Sequence, residues 1–235
     1  MWKKIEKHGF ATGVIMAFLG FLPQVAWAAS YLIDKPKSIF GIITHKGGYA
    51  AALAHNHLVF AREYEATLTF DPENLSNSRL TLSMPVAGLV NDEPTVSAAW
   101  SPRIRALKIL SESLPIVSAS DRSNILKDMM GEGQLDATRY PTIYLAVSNL
   151  EKKTSLVGEE SFEYQMKVTL TVHGQTVERL VPANIQVVGN ILQAEAVGTF
   201  AFTDFGMTPF SAFMGAFRNQ DDFHAYVKIV AHTSD

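Results

Sequence analysis

Strict two-residue alternation of apolar and polar side chains is the feature that most narrows what this chain can fold into. Between residues 162 and 172, apolar side chains occupy every even position and polar side chains every odd position. Successive residues of a β-strand point to opposite faces, so this pattern predicts a strand with one buried face. Further segments alternate in the same way, over residues 64–70, 79–84, 143–147, 194–202 and 223–231. Strands that are apolar on one face only favour antiparallel pairing.

Turn residues separate these strands at short intervals. Asp71-Pro72-Glu73-Asn74, His173-Gly174 and Val188-Gly189-Asn190 each lie between two strand-like segments and are typical of hairpins. Strands joined in sequence by hairpins fit an up-and-down barrel better than a sandwich of distant pairs. The sequence therefore predicts an all-β, single-domain fold, an antiparallel barrel of about eight strands.

The alternation stops between residues 91 and 133. A turn or two of helix is predicted after Pro102, with Ile104 and Leu107 contributing to it. A second helix is predicted over residues 121–130, with Ser120 or Asp121 as its N-cap. The pattern therefore places a short helical insertion between the early and the middle strands of the barrel.

The first 28 residues indicate where the rest of the chain works. Lysines precede an almost wholly apolar stretch, residues 10–25, and Ala26-Trp27-Ala28 carries small residues at the two positions that a signal peptidase reads. The apolar stretch is short for a membrane span and is interrupted by glycines and a proline. We expect residues 1–28 to be a cleaved export signal and residues 29–235 to be one domain in the periplasm or outside the cell. An uncleaved anchor is the alternative.

Composition excludes several kinds of chemistry. The chain has no cysteine, which rules out disulfides, a lipoprotein anchor, thiolate catalysis and cysteine-ligated metal sites. The formal charge of −3 becomes −5 when the three lysines and one glutamate of the predicted signal are removed, so the domain lacks an electrostatic footprint for nucleic acid. Motifs such as G-x-S-x-G and H-E-x-x-H are missing. The sequence predicts a binding protein and no enzyme.

Two histidines, His55 and His57, form the most chemically suggestive spot in the sequence. In an extended segment, residues two apart point to one face, so both imidazoles would reach the same ligand. Three interpretations stay open: histidines half exposed or bonded to backbone where a strand begins, contact with a ligand headgroup, and a metal site. A zinc site needs a third ligand, for which His45, His173 and His224 qualify only if the fold brings them close.

An unusually aromatic stretch begins at Phe200. Its large apolar side chains are Phe200, Phe202, Phe205, Met207, Phe210, Phe213, Met214 and Phe217. They are interpreted either as core packing under a folded loop or as the adaptable apolar mouth of a cavity. Within the stretch, Asp204 is predicted to satisfy turn amides and Gly206 to adopt a positive φ.

Five segments, taken together, resemble the YceI family of exported, lipocalin-like proteins. They cover residues 31–34 with 37–40, 64–75, 135–143, 170–176 and 203–207, in the family's order. The most recognisable pieces are Tyr140-Pro141-Thr142-Ile143, His173-Gly174 and Asp204-Phe205-Gly206-Met207. The resemblance implies an eight-stranded, antiparallel, lipocalin-like barrel with a helical insertion and a long apolar tunnel, which in the family holds a polyisoprenoid such as a quinone.

The resemblance makes the apolar strand faces and the aromatic stretch candidate walls of a lipid tunnel. The candidate wall residues are Leu68, Phe70, Leu82, Met84, Ile143, Leu145, Val168, Leu170, Phe200, Phe202, Phe205, Met207 and Phe210. His55 and His57 are expected near a polar headgroup. The expected partner is an amphiphilic prenyl lipid, polyisoprenoid or quinone-like, with no required cofactor, and a homodimer is compatible with the sequence. A metal-binding or redox protein using His55 and His57, and a ligand-free structural β domain, are the alternatives.

Overall fold

The computed structural model describes residues 28–234, and the structural statements below concern that part of the chain. The predicted signal lies outside the described residues except for its last position. The strands are Ala29–Ile33 (β1), Ile39–Gly47 (β2), His57–Ala61 (β3), Glu65–Phe70 (β4), Arg79–Pro85 (β5), Leu89–Asn91 (β6), Thr142–Val157 (β7), Glu160–Val172 (β8), Gln175–Val188 (β9), Ile191–Ala201 (β10), Ser211–Ala212 (β11) and Phe217–Thr233 (β12). The α-helices are Pro94–Ala106 (α1) and Ala119–Met130 (α2). Within the described range, neither is long and apolar enough to cross a membrane.

Eight strand paths close into one antiparallel barrel. A strand path is one passage of the chain along the barrel wall. Each of the first three paths consists of two consecutive strands: β1 with β2, β3 with β4, and β5 with β6. The strands β7, β8, β9, β10 and β12 form the other five paths. Neighbours in the chain are neighbours in the barrel, and β12 closes the ring by pairing with both β1 and β2. The predicted all-β, eight-stranded, lipocalin-like barrel is therefore confirmed, and every segment whose alternation predicted a strand contributes to it.

A second apolar core lies outside the barrel, between its wall and the helical insertion. Outward-facing side chains of β2, β3, β8, β10 and β12 pack there against α1 and the segment that follows it. Its buried members are Ile39, Ile43, Leu58, Phe60, Ile104, Leu107, Ile109, Leu110, Phe162, Val197 and Tyr226. As a result, β2 and β12 carry apolar side chains on both faces.

The helix α1 is longer than the sequence predicted. It starts at Pro94, where the Glu93 carboxylate accepts a hydrogen bond from the Val96 amide at 2.9 Å. Pro102, after which the sequence predicted a turn or two of helix, lies inside it. Pro102 is exposed and removes only one backbone donor, so packing of the opposite face against the barrel holds the helix together.

The helix α2 also starts earlier than predicted. Ser118 is its N-cap, and the Ser118 hydroxyl accepts a hydrogen bond from the Asp121 amide at 3.1 Å. The predicted cap at Ser120 or Asp121 is therefore wrong, because the first of three nearby polar residues takes the role. Both helices lie between β6 and β7, as the insertion was predicted to lie.

Arg103 fastens α1 to the outer wall of the barrel. Its guanidinium contacts Glu160 at 2.7 and 2.8 Å and Glu195 at 2.7 and 2.9 Å, a bidentate arrangement with each carboxylate. The Tyr226 hydroxyl donates a further hydrogen bond to Glu195 at 2.8 Å. Burial alone would raise the pKa of Glu195, but the hydrogen bonds from Arg103 and Tyr226 and the charge of Lys228 hold that pKa below its ordinary value.

The His173-Gly174 turn between β8 and β9 meets two other segments of the family resemblance in space. Gly174 has a φ of 73°, and a Cβ added there would come within 2.5 Å of Tyr140 Cε1. The His173 ring packs edge-on against the Tyr140 ring with centroids 4.8 Å apart. His173 Nδ1 lies 3.1 Å from the Phe205 carbonyl oxygen. These motif residues therefore fasten one end of the barrel.

The turn after β10 forms as predicted. Asp204 accepts a hydrogen bond from the Ala201 amide at 3.0 Å, and Gly206 has a φ of 68°. The same carboxylate pairs with Arg179 at 2.7 Å. This turn redirects the chain so that Phe202 and Met207 are both buried.

Replacing Gly174 with alanine should destabilise the fold more than replacing Gly189. Gly189 also has a positive φ, 59°, but a Cβ there meets nothing within 4 Å. We expect Gly189→Ala to lower the free energy of unfolding by about 1 kcal/mol. Gly174→Ala should lower it by about 2–3 kcal/mol, because the Tyr140 ring must also move. Urea unfolding measures both, and equal losses would contradict the packing role of Gly174.

Removing Arg103 should destabilise the protein in a pH-dependent manner. The Arg103 side chain is 34 % exposed. Arg103→Met should therefore lower the free energy of unfolding by about 2–3 kcal/mol at neutral pH, which is less than the loss expected when a fully buried pair is broken. Because the pKa of Glu195 is lowered in the folded protein, its carboxylate stabilises the fold at pH values above the ordinary pKa of 4.5. This stabilisation is lost as the pH falls through the native pKa. The cost of Arg103→Met should therefore shrink in acid.

The matched control for this variant is Lys108→Met. Lys108 pairs with Glu159 at 3.6 Å, with 59 % and 81 % of the two side chains exposed, and exposed pairs contribute about 0–1 kcal/mol. Urea unfolding at several pH values compares the two variants. A cost of Arg103→Met that does not change with pH would refute the assigned role of Glu195.

Candidate functional site

The barrel interior holds two adjoining cavities. The larger, chamber 1, has a volume of about 220 Å³, and the smaller, chamber 2, has a volume of about 100 Å³. The residues that border both chambers are Phe40, Leu145, Leu170, Ala225 and Val227. The chambers follow one another along the strands and form an elongated, mostly apolar space with a waist at these shared residues.

Small side chains leave this space open. The interior faces of β9, β10 and β12 carry Ala183, Ala194, Ala196, Gly198 and Ala225. The close contact at Gly198, where a Cβ would come 2.9 Å from Val181 Cγ2, shows that the wall itself is tightly packed. Leu68, Leu145, Met166 and Val227 line the chambers and remain partly exposed. Their exposed surface therefore belongs to the cavity.

The helix α2 and the segment after β10 lie over chamber 1. Met129 of α2 lines the chamber, and so do Met207 and Phe210. Gln134, which follows α2, connects it to the segment after β10, because the Gln134 Nε2 donates a hydrogen bond to the Thr208 carbonyl oxygen at 2.9 Å. The insertion thus shapes one end of the cavity.

Most of the predicted wall residues border a chamber. Met84, Ile143, Phe202, Met207 and Phe210 line chamber 1; Leu68, Phe70, Val168 and Phe200 line chamber 2; Leu145 and Leu170 line both. Leu82 and Phe205, which were also predicted on the wall, border neither chamber. Both are buried in the surrounding core, and Phe205 packs against Phe200 and Phe223.

The aromatic stretch divides into core residues, residues that line chamber 1 and exposed residues. Phe200, Phe202 and Phe205 pack around the Phe223 ring, with centroids 5.0 to 6.3 Å from it. Phe213 and Met214 are 77 % and 98 % exposed and have φ values of 51° and 55°. Core packing therefore describes the start of the stretch, Met207 and Phe210 line chamber 1, and Phe213 and Met214 reach into solvent.

The structure separates His55 from His57. His57 is the first residue of β3 and lines chamber 1, whereas His55 is exposed in the preceding loop and lines neither chamber. The prediction that the two imidazoles share one face is wrong, because the extended strand begins only at His57. Only His57 is therefore placed to meet a ligand in the cavity.

Two of the other histidines pair at a different place. His45 Nε2 lies 2.7 Å from His224 Nδ1. Burial lowers the pKa of both, and the neighbouring His224 lowers that of His45 further. In the part of the chain that the structure describes, no three His, Asp or Glu side chains are grouped to hold a metal ion.

Asp92 positions the His57 ring. His57 Nδ1 lies 2.7 Å from Asp92 Oδ2, and Asp92 Oδ1 accepts a hydrogen bond from the Leu58 amide at 2.9 Å. Asp92 is 1 % exposed and has a φ of 47°, an uncommon conformation for a residue other than glycine. In a neutral imidazole, a carboxylate at Nδ1 fixes the tautomer in which Nε2 keeps its lone pair.

Thr44 is the second polar residue beside His57 on the wall of chamber 1. It faces His57 across the β2–β3 pair and is 5 % exposed. Its Oγ1 is buried without a hydrogen-bond partner among residues 28–234. Sequence reasoning missed both Thr44 and Asp92, because Asp92 lies 35 residues from His57 and no local pattern connects them.

The chain is similar to solved structures. BcnA of Burkholderia cenocepacia aligns with a TM-score of 0.57 and 13 % identity, over 85 % of this chain and 99 % of that chain. A YceI protein of Campylobacter jejuni has a TM-score of 0.48 and 15 % identity, over 75 % and 85 % of the two chains. A polyisoprenoid binding domain of Saccharophagus degradans has a TM-score of 0.48 and 6 % identity, over 88 % and 100 %.

Comparison of sequences identifies the family. No curated protein matches the chain. The YceI-like domain matches residues 31–231, which include every strand that closes the barrel except the ends of β1 and β12. This protein belongs to the YceI-like domain family.

Proposed function

We propose that this protein is exported and holds a prenyl lipid, polyisoprenoid or quinone-like, inside its barrel. The observation that carries the proposal is the elongated apolar space formed by chambers 1 and 2 within a closed ring of strands. Their combined size falls at the lower end of the roughly 300–1,000 Å³ that is typical of ligand pockets. Membership in the YceI-like family supports the same ligand class.

The hydrophobic effect is strong enough to retain such a ligand. Burial of roughly 600 Å² of isoprenoid surface contributes about 15 kcal/mol at about 25 cal/mol/Å². Ordering of the flexible chain and loss of its free motion offset much of that gain. The remainder suffices to keep a water-insoluble lipid bound to a protein in an aqueous compartment.

The alternatives receive less support. A ligand-free structural β domain is expected to fill its interior with side chains, whereas small residues such as Ala194, Ala196 and Ala225 leave this interior open. A metal or redox role for His55 and His57 needs both rings at one site, and only His57 lines the cavity. We therefore favour lipid binding without catalysis.

The start of the barrel is compatible with export. The first paired residue is Ala29, opposite Phe70, and it directly follows the predicted cleavage position. Among the described residues, β1 begins at Ala29, so cleavage after Ala28 would leave the strands given above intact. The proposed mature protein therefore retains the whole lipid-binding fold.

A charge on the waist of the cavity should abolish lipid binding. Leu170 borders both chambers and is 7 % exposed, so Leu170→Arg would place an unpaired cation in the apolar space. We expect the purified variant to lose the lipid that native mass spectrometry and organic extraction detect in the wild type. Thr169→Arg is the control, because Thr169 lies next in the same strand and bonds to Glu178 on the outer face.

A second variant tests the same waist without a charge. Ala225→Phe should fill the space between the chambers and also abolish lipid retention, while the free energy of unfolding in urea stays at or above the wild-type value because the new ring occupies a cavity. Undiminished lipid in both folded variants would refute the assignment of the waist.

Export should appear as a shortened chain. We expect the protein recovered from the extracytoplasmic fraction to begin at Ala29 when its N-terminus is sequenced. A variant with Ala26→Lys and Ala28→Lys changes both positions that signal peptidase reads, so its signal should stay attached. Recovery of an uncut wild-type chain in the membrane fraction would contradict the proposal and favour an anchor.

A further inference from the structure

We propose that Thr44, His57 and Asp92 form a headgroup subsite in chamber 1 that is specific for a hydroxyl group. This inference rests on the proposed lipid-binding function and specifies the chemistry of the lipid: a prenyl alcohol, prenylphenol or quinol. A quinone carbonyl and a phosphate are the headgroups that it disfavours. The argument starts from two polar atoms that the fold leaves without partners.

The first atom is His57 Nε2. In the neutral imidazole, the hydrogen bond of 2.7 Å between Nδ1 and Asp92 keeps the ring proton on Nδ1, so Nε2 is an acceptor. Nε2 has no hydrogen-bond partner among the described residues, and the ring lines chamber 1. Asp92 holds this arrangement firmly, since its second oxygen is fixed by the Leu58 amide and its own amide donates to the Leu58 carbonyl oxygen.

The second atom is Thr44 Oγ1. A buried hydroxyl without a partner is rare, because losing its bonds to water costs free energy that nothing returns. Thr44 and His57 are direct partners across the β2–β3 pair, so their Cβ atoms are about 5 Å apart. Rotation about χ1 exchanges the methyl and hydroxyl groups of Thr44, and the hydroxyl then reaches a group bound beside His57.

A ligand hydroxyl satisfies both atoms at once. It donates its proton to His57 Nε2 and accepts the Thr44 hydroxyl proton. A carbonyl oxygen also accepts from Thr44, but it presents a lone pair to the lone pair of Nε2. Thr44 and His57 together therefore favour a ligand oxygen that carries a proton over one that does not.

Electrostatics exclude an anionic headgroup. No lysine or arginine is among the residues that line chamber 1, all of which lie in the described range. Two carboxylates lie close to this site: Asp92 contacts the His57 ring, and Asp128 is part of the chamber lining. A phosphate would therefore be desolvated beside carboxylates and without a cation.

Three lipids with one chain test this chemistry. Binding of geranylgeraniol, geranylgeranyl methyl ether and geranylgeranyl diphosphate to the purified protein is measured by native mass spectrometry. We expect the alcohol to bind about ten-fold more tightly than the ether, the value of one hydrogen bond, and the diphosphate to bind more weakly than the alcohol. The ether keeps the acceptor oxygen and carries a methyl group in place of the proton.

Two variants test whether His57 Nε2 and Thr44 Oγ1 are the atoms that act on the alcohol and the ether. His57→Asn retains a donor toward Asp92 and lacks Nε2, so the preference for the alcohol over the ether should fall to about one-fold. Thr44→Val is nearly isosteric and should weaken the alcohol and the ether equally, which leaves their ratio unchanged. His55→Asn is the control, because His55 is exposed outside the cavity, and it should change neither value.

The outcomes separate this inference from the proposed function. Equal binding of alcohol and ether by the wild type, a ratio that survives His57→Asn, or tightest binding of the diphosphate would each overturn the hydroxyl subsite and leave lipid carriage standing. Failure of all three lipids to bind the folded wild type would overturn lipid carriage itself. If His57→Asn does not fold, equal weakening of alcohol and ether by Thr44→Val supports the subsite, and unchanged affinities contradict it.

Discussion

Closure of the ring is the constraint on which the rest of the structure depends. The interior is shielded from water only because the 17-residue β12 pairs with β10 on one edge and with β1 and β2 on the other. The breaks in the first two strand paths lie side by side, and Lys35 Nζ donates across them to the Tyr64 carbonyl oxygen at 2.8 Å. The wall therefore bends at these positions without opening.

The same wall serves two cores. On the inside, β2 and β12 border the chambers; on the outside, they pack against α1. Asp92 lies where these two layers meet, since it follows β6, precedes α1 and bonds to His57. The polar spot of chamber 1 is consequently anchored where the insertion leaves the barrel, and Arg103 holds that insertion in place from the other side.

Alternation predicted six of the strands, and it was absent where apolar residues occupy both faces of a strand segment. β2 shows no alternation because Ile39 and Ile43 pack outward while Phe40 and Ile42 face the interior. β9 was indicated only by the turns at its two ends and not by alternation, because Leu180 and Val187 are apolar residues on its exposed side. Likewise, the large side chains of the cavity were visible in the sequence, but the alanines and the pairing of His57 with Asp92 depend on tertiary neighbours.

The small residues at the waist also couple ligand binding to the stability of the fold. Side chains that border an empty space lack the dispersion contacts of a filled core, and cavities cost about 24 cal/mol per Å³ in proteins, which for a space of this size is on the order of several kcal/mol. A molecule that fills the chambers supplies those contacts to the folded state only. By mass action, the loaded barrel is then the more stable one, and the resistance of the fold to unfolding reports its cargo.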